Sequence, residues 1–406
     1  MRVLAVAPYV PYQGIPHAGG EYLLRHLRAL ARDGPVTLLV PGSDDAVVDR
    51  HRAPEWLELV VSPLRVEERS LPRRLADAAY RRLRAAPPMP TAESLRAVRA
   101  GGLVERARSA DLVELHWPEY ARFATELRRA EVATPVSVVE HDVTVRGNVS
   151  RYATLLTGYR RVLGIATSPL SSRVELAGLR AADLVLVFKD SDRQLLHRLG
   201  LRTPVRVLDP WLEVPEGPAP PRRAGEVLFT GALWRTENDV GARWLLEQVW
   251  PAVRAAVPSA SLTIAGSGPR PEVRALAAQV PGVEVTGAVD SLLPCYRRAS
   301  VFAAPLFTGG GLKFKVAQAM LCGLPVVATT TAVEGVAEHA PPGALWGVTD
   351  DPQEFAGHLV RALQAQAGAA EAGAAAARWA GEHWSFGRSM GGVLADYQAL
   401  VRAGTP

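Results

Sequence analysis

Two rhythms take turns along this chain. Short runs of aliphatic and β-branched residues, bounded by Gly or Pro, are followed by stretches whose apolar positions recur every three or four residues. The first kind predicts strands and the second helices. Residues 2–8 (RVLAVAP) predict a strand. Leucines at 23, 24, 27 and 30 predict one face of a helix, and PVTLLVP at 35–41 the next strand. Gly19 and Gly20 stand just before that first helix, a setting in which backbone amides meet a phosphate. Further strands are expected at 57–63, 110–117 and 134–144, the last two carrying His116 and His141 at their ends. Ligands of open α/β sheets collect at the carboxyl ends of strands, which makes both histidines candidates, His141 ahead of His116. They are not spaced as a metal pair on one element. Residues 70–108 read as mostly helical and arginine-rich, interrupted by APPMP at 86–90.

After a helix–strand–helix stretch (171–200) and the strand PVRVLDPW, residues 209–225 are rich in proline and read as a linker. The alternation then restarts. EVLFTGAL is a strand, and NDVGARWLLEQVWPAVRAAVP a helix with Asn238 or Asp239 as its cap. LTIAGSGP, VEVTGAVD, SVFAAPLF and LPVVAT are further strands with helices between them, and ALWGV an edge strand. Alanine-rich 364–378 reads as helix, since alanine is the strongest helix former. The strands do not alternate apolar with polar, as expected of parallel sheets covered on both faces. The expected fold class is therefore α/β, with two doubly wound Rossmann-like domains facing a central cleft, a natural small-molecule site. The expected boundaries are 1–208 for the first domain, 209–225 for the linker and 226–384 for the second.

Composition narrows the function. A 406-residue chain with 48% hydrophobic residues suits two folded domains. Two cysteines, Cys295 and Cys322, give neither a disulfide framework nor a metal spacing, which fits a reducing compartment. The N-terminus does not read as a signal peptide, and no uncharged run is long enough to span a membrane. The expectation is a soluble, cytoplasmic protein, with contact to the inner membrane face open but not favoured. The formal net charge is +5. The arginines do not interleave with aromatics as a stacking platform needs, so no nucleic acid is expected as partner. Residues 70–86 could form a basic amphipathic helix against anionic lipid. Their apolar side lacks Trp and Phe, and a solvated arginine-rich face is the better reading.

The densest chemistry lies at 307–329, FTGGGLKFKVAQAMLCGLPVVAT. It reads as loop, helix, tight turn and strand. Only three lysines occur in the chain, Lys189, Lys313 and Lys315, and two of them sit in this loop. Glycines let a backbone approach a ligand, a helix start turns amides toward an anion, and lysine suits phosphate. The stretch is a candidate diphosphate-binding loop.

The order of these pieces resembles a GT-B glycosyltransferase of the retaining family 4 type (glycosyl transferases group 1) over nearly the whole chain. The marks are GG before the first long helix, DLVLVFKDSDRQLL, VLFTGAL followed by ND, LTIAGSGP, VTGAVDSLLPCYRRASVFAAP and GGGLKFKVAQAMLCGLPVVAT. The resemblance implies a nucleotide-sugar donor (UDP-, GDP- or dTDP-linked) bound by the second domain, an acceptor against the first, no metal and no cofactor. It also implies a last helix, within 385–406, that crosses back to the first domain.

Carried over residue by residue, the resemblance places Gly19, Gly20, Arg235, Gly310, Gly311, Leu312, Gln318 and Glu334 on the donor, with His141, Lys313 and Lys315 at the reaction. Departures are also plain. The family often holds a Glu-x7-Glu pair, and here those positions are Gly310 and Gln318. GGGLKFK matches a subgroup with a G-x-G-x-(Arg/Lys)-x-Lys loop that lacks the first acid but normally keeps the second. Glutamine offers no charged acceptor to ribose, an expected loss of roughly 1–2 kcal/mol in donor binding. The arginine and lysine that follow FTG in many members are here Ala232 and Glu237.

With no acid placed as a nucleophile, front-face attack is the expected course, the leaving phosphate taking the acceptor proton. Two alternatives remain: a non-catalytic GT-B-like partner or activator of another transferase, and a GT-B enzyme of other chemistry, such as an epimerase or phosphorylase.

Overall fold

The computed structural model describes residues 1–15, 18–42, 44–63, 92–141, 143, 162, 173, 175–214, 217, 221–309, 311–404. Gly310 and the arginine-rich zone 70–86 lie outside the described residues. The chain divides into two compact units. One comprises Met1–Ile15, Gly19–Pro210 and Ser389–Pro406, the other Pro16–Ala18 and Trp211–Arg388.

The first unit is built on a seven-stranded sheet in the order β3-β2-β1-β4-β5-β6-β7. The strands are β1 (Val3–Val6), β2 (Val36–Gly42), β3 (Leu57–Pro63), β4 (Leu112–His116), β5 (Val136–Glu140), β6 (Leu184–Val187) and β7 (Val205–Val207). Every pairing is parallel. The central strands are buried throughout, as their mainly apolar runs predict, and β4 and β5 carry buried polar residues as well. Covering helices include Ala18–Leu30, Ala92–Ala100, Leu103–Ser109, Pro118–Arg129 and Asp190–Arg198. Their apolar faces meet the sheet in one core that includes Leu4, Leu39, Val113, Phe123, Leu127, Val138 and Leu196.

The second unit repeats the plan with six parallel strands, ordered β10-β9-β8-β11-β12-β13. These are β8 (Glu226–Thr230), β9 (Ser261–Ala265), β10 (Val283–Gly287), β11 (Val301–Ala304), β12 (Val326–Ala328) and β13 (Gly347–Val348), the last at the edge as expected. In each sheet the chain order reverses once, between β1 and β4 and between β8 and β11. Such a reversal leaves a crevice at the carboxyl ends of those strands.

Two local readings are corrected. The helix expected from Asn238 starts earlier, at Thr236, so Asn238 and Asp239 lie inside its first turn and neither caps it. Nor is it one continuous α-helix. Residues Leu245–Val249 form a π-helical turn before Trp250–Ala256, because Pro251 has no N–H to give and crowds the carbonyl four residues back. The helix backs closely onto the end of β11 at Gly241, where a Cβ would overlap the Pro305 carbonyl oxygen.

The alanine-rich stretch is helical apart from a break at Ala365, where one helix ends at Gln364 and the next, Gln366–His383, begins, and a final helix runs from Phe386 to Gly404. From Ser389 onward that helix belongs to the first unit.

Candidate functional site

Each unit gathers its polar side chains at the reversal point of its own sheet. In the second unit, β8 ends in Thr230 and Gly231, and the loop after β11 leads into the helix Phe314–Leu321. Lys315, in that helix's first turn, reaches back across the strand ends. Its Nζ donates to Asn238 Oδ1 at 2.6 Å and lies 4.9 Å from the Phe229 ring centroid. Asn238 in turn donates from Nδ2 to the Ala232 carbonyl at 2.9 Å. Gly231 has no side chain because none fits: a Cβ there would stand 2.7 Å from both Lys315 Nζ and Asn238 Cγ.

Lys315 keeps part of its surface open to solvent. It is nonetheless packed so closely that burial lowers its ammonium pKa to about 7, with Glu237 opposing that fall and Arg235 and Lys313 adding to it. A lysine whose charge burial disfavours, and whose bonded partner is a neutral amide, would be stabilised by an anion brought beside it.

Lys313 precedes the helix and donates from Nζ to the carbonyls of Gly309 (3.0 Å) and Gly311 (2.6 Å), which holds the glycine loop in shape. The helix start offers fewer open amides than the sequence implies. Phe314 N–H bonds the Leu312 carbonyl, and Val316 and Ala317 N–H both bond the Lys313 carbonyl. The lysine side chains, more than the backbone, give this place its positive character.

The remaining residues expected on the donor scatter around this centre. Leu312 is buried beneath the loop. Arg235 pairs with Glu237 at 2.6 Å just before the helix that carries Asn238, close enough for both charges to act on Lys315. Gln318 lies one turn beyond Lys315, but its amide turns along its own helix toward Cys322 Sγ at 3.6 Å. Glu334 follows the short turn Thr331–Val333 after β12, partly exposed. Lys189, the third lysine, is fully buried in the first unit 3.7 Å from Asp192.

The first unit brings His116 and His141 together and adds partners that the sequence reading did not name. His116 ends β4 and His141 follows β5, two neighbouring strands, and His116 Nδ1 lies 3.4 Å from His141 Nε2. Behind them Glu114, midway along β4, bonds His116 Nε2 through Oε2 at 2.9 Å and His26 Nε2 through Oε1 at 2.7 Å. His26 Nδ1 meets the Tyr22 hydroxyl at 3.0 Å. Tyr397, from the final helix, donates its hydroxyl to Glu114 Oε1. Glu114, His116 and Tyr397 are wholly inaccessible.

Burial alone would raise the Glu114 carboxyl, but His26 and His116 more than reverse this and hold it far below the usual carboxylate range. Burial pushes the His116 and His141 imidazoles down, so both stand neutral at pH 7.

His141 is boxed by rings. Trp117 stacks on it at 3.8 Å with planes 1° apart, while Tyr22 and Phe188 meet it edge-on. Trp117 adopts φ 72°, which side chains rarely take, and this turns its indole over the imidazole. Gly19 and Gly20 fall inside the first helix, not before it, in the same turn as Tyr22, whose ring meets His141.

Among the described residues His26, Glu114 and His116 also form the one group offering three ligand atoms within 4.8 Å of one another. Each imidazole there already bonds its own carboxylate oxygen, so the group is complete as a hydrogen-bonded triad. The signal for it was available. A glutamate inside the otherwise apolar run DLVELHW must, in a doubly covered strand, find partners or stay uncharged.

A family model described as Glycosyl transferases group 1 matches residues 224–365, which hold the whole lysine cluster. No curated protein sequence matches the chain. Solved structures do. Sucrose-phosphate synthase from Thermosynechococcus elongatus is similar with a TM-score of 0.70 at 17% identity over 99% of both chains. Anabaena HepE in complex with UDP gives 0.67 at 15% identity, covering 98% of this chain and 100% of that one. The trehalose-6-phosphate synthase OtsA gives 0.68 at 14%, covering 98% and 99%. At these identities the likeness speaks for the fold. The chain has the GT-B fold of two Rossmann-like domains, and its second unit is similar in sequence to the group 1 glycosyl transferases.

Proposed function

We propose that the protein is a glycosyltransferase that moves a sugar from a nucleotide-sugar donor to an acceptor hydroxyl, with retention of configuration and without a metal. The observation that carries this reading is Lys315. It is a rare lysine in this chain, closely packed and short of a counter-charge, at the reversal point of the second sheet and within the segment similar to group 1 glycosyl transferases. An anion with two phosphates suits Lys315 together with Lys313, whose ammonium is held at the glycine loop by the carbonyls of Gly309 and Gly311.

In this reading the lysines take the charge that develops on the leaving diphosphate, and His141 orients the donor sugar. The described residues of the cluster offer no free carboxylate as a nucleophile, so attack comes from the face that the diphosphate leaves, and the leaving phosphate oxygen accepts the acceptor's proton. UDP is the first nucleotide to try, because HepE is solved with UDP. GDP- and dTDP-sugars follow. No described helix is long and apolar enough to cross a membrane. A cytoplasmic location is part of the proposal.

A double variant, Lys313→Ala with Lys315→Ala, tests it. Wild-type protein is expected to bind UDP and cleave or transfer the sugar of one donor in a panel, and the variant to lose calorimetric binding. Undiminished binding in the variant removes the diphosphate assignment. A second reading, a non-catalytic partner of another transferase, is favoured by Gln318, whose amide is turned to Cys322 and which is no acid. Nucleotide binding without any donor cleavage, by wild-type protein across the panel, selects it.

A further inference from the structure

We infer that Glu114 and His116 are positioning residues that fix which nitrogen of His141 carries its proton, and so present His141 Nδ1 as an acceptor to a hydroxyl of the ligand. The inference rests on the reading that His141 faces the donor sugar, and extends it to residues that touch no ligand.

A carboxylate only accepts hydrogen bonds. Glu114 Oε2 therefore requires a proton on His116 Nε2, 2.9 Å away. His116 is neutral, because it is fully buried, so its other nitrogen has a lone pair. That lone pair on Nδ1 lies 3.4 Å from His141 Nε2, which must then be the protonated nitrogen. In a neutral His141 this leaves Nδ1 bare. Nε2 is the nitrogen of His141 that is bonded among the described residues, and His141 as a residue keeps 8% of its surface accessible while His116 and Glu114 keep none. Trp117 stacked on one face, with Tyr22 and Phe188 at the edges, prevents the ring from turning over. The second oxygen of Glu114 is held by His26 and Tyr397, so the carboxylate cannot swing away from His116. The chain of bonds has one direction, from a buried charge to the one nitrogen of His141 that no described residue bonds.

The test uses full-length protein labelled with 15N at histidine. Long-range proton–nitrogen spectra report which ring nitrogen is protonated, and the loss of one signal set in His141→Gln assigns His141. Wild-type protein is expected to show His141 with Nε2 protonated and Nδ1 bare. A wild-type spectrum with Nδ1 protonated overturns the inference by itself, with no variant needed. His116→Gln keeps a group facing Glu114 but withdraws the one facing His141, and is expected to give a mixture of His141 tautomers. Glu114→Gln, which can donate toward His116, is expected to do the same. Tyr397→Phe, which leaves both imidazole–carboxylate bonds, is expected to lower stability while leaving the His141 tautomer as it is. A pure Nε2-protonated His141 in both His116→Gln and Glu114→Gln also overturns the inference.

Where a donor is turned over, kcat is expected to fall at least about tenfold in those two variants with KM within about twofold, as when a catalytic imidazole loses its tautomer. Expected tautomers without any donor turnover in wild-type protein leave the relay standing and remove the transferase reading instead.

Discussion

The Tyr397 hydroxyl donates to the Glu114 carboxylate across 283 residues of sequence. It also lies 3.0 Å from the Ser137 hydroxyl, on the strand beside that of Glu114. One hydroxyl thus fastens the final helix to two central strands of the first sheet. A hydrogen bond to a buried charge contributes about 1.5–3 kcal/mol. Tyr397→Phe is expected to lose that much in chemical denaturation, with the loss confined to the first unit's transition if the units unfold separately. A cost below about 0.5 kcal/mol would mean that the imidazoles satisfy Glu114 without it.

Lys315 gives a pH dependence with a defined sign. Its folded pKa lies near 7, below lysine's ordinary value of 10.5, because burial disfavours the charge. A bound diphosphate favours the charged form and raises that pKa. Between pH 7 and the bound-state value, binding must take up a proton, so affinity falls as pH rises, by up to about tenfold per unit. A nucleotide sugar is the right probe, since its diphosphate diester keeps constant charge over this range. Titration calorimetry in buffers of different ionisation enthalpy should show proton uptake near one per site at pH 8–9. Affinity that is flat from pH 6.5 to 9 would place the diphosphate elsewhere.

Gly231→Ala tests the same contact sterically. The new methyl would sit 2.7 Å from Lys315 Nζ and must push it from Asn238. Nucleotide binding should weaken at least about tenfold, with an overpacking cost of about 1–3 kcal/mol in stability. Retained affinity in a folded Gly231→Ala protein would show that Lys315 need not stand where it does.

Gln318→Glu addresses the departure in the donor helix. The change removes the amide's bond to Cys322 Sγ and supplies a charged acceptor one turn from Lys315. If residue 318 faces the ribose, nucleotide affinity should rise about 5–30-fold, the equivalent of about 1–2 kcal/mol. An unchanged or weaker affinity would indicate a pocket adapted to glutamine.

Much of this was legible in the chain itself, for physical reasons. Parallel strands buried on both faces are predominantly apolar, so RVLAVAP and DLVLVF announce themselves locally. Lys313 and Lys315 stand out because lysine is rare here. The placement of His116 and His141 at the ends of neighbouring strands was open to the same reasoning. What stayed hidden depends on distance along the chain. His26 and Tyr22 share the buried side of the first helix with Leu23 and Leu27, and nothing in their spacing says that they meet Glu114. Tyr397 looks like one aromatic among the apolar positions of a final helix. The cap at Asn238 was misplaced because its side chain serves Lys315, a tertiary demand that overrode a local preference.

The return of Ser389–Pro406 to the first unit has a consequence for biosynthesis. Synthesis proceeds from the N-terminus, and domains ordinarily fold as they emerge. Here the nascent first unit lacks Tyr397 until the whole intervening unit has been translated, so the Glu114 carboxylate waits without one of its three partners. The second unit can close first. A ribosome stalled anywhere before Tyr397 would carry an early half that is sheeted but unsealed, open to chaperones and proteases. The last helix completes the first unit only after the second has been made.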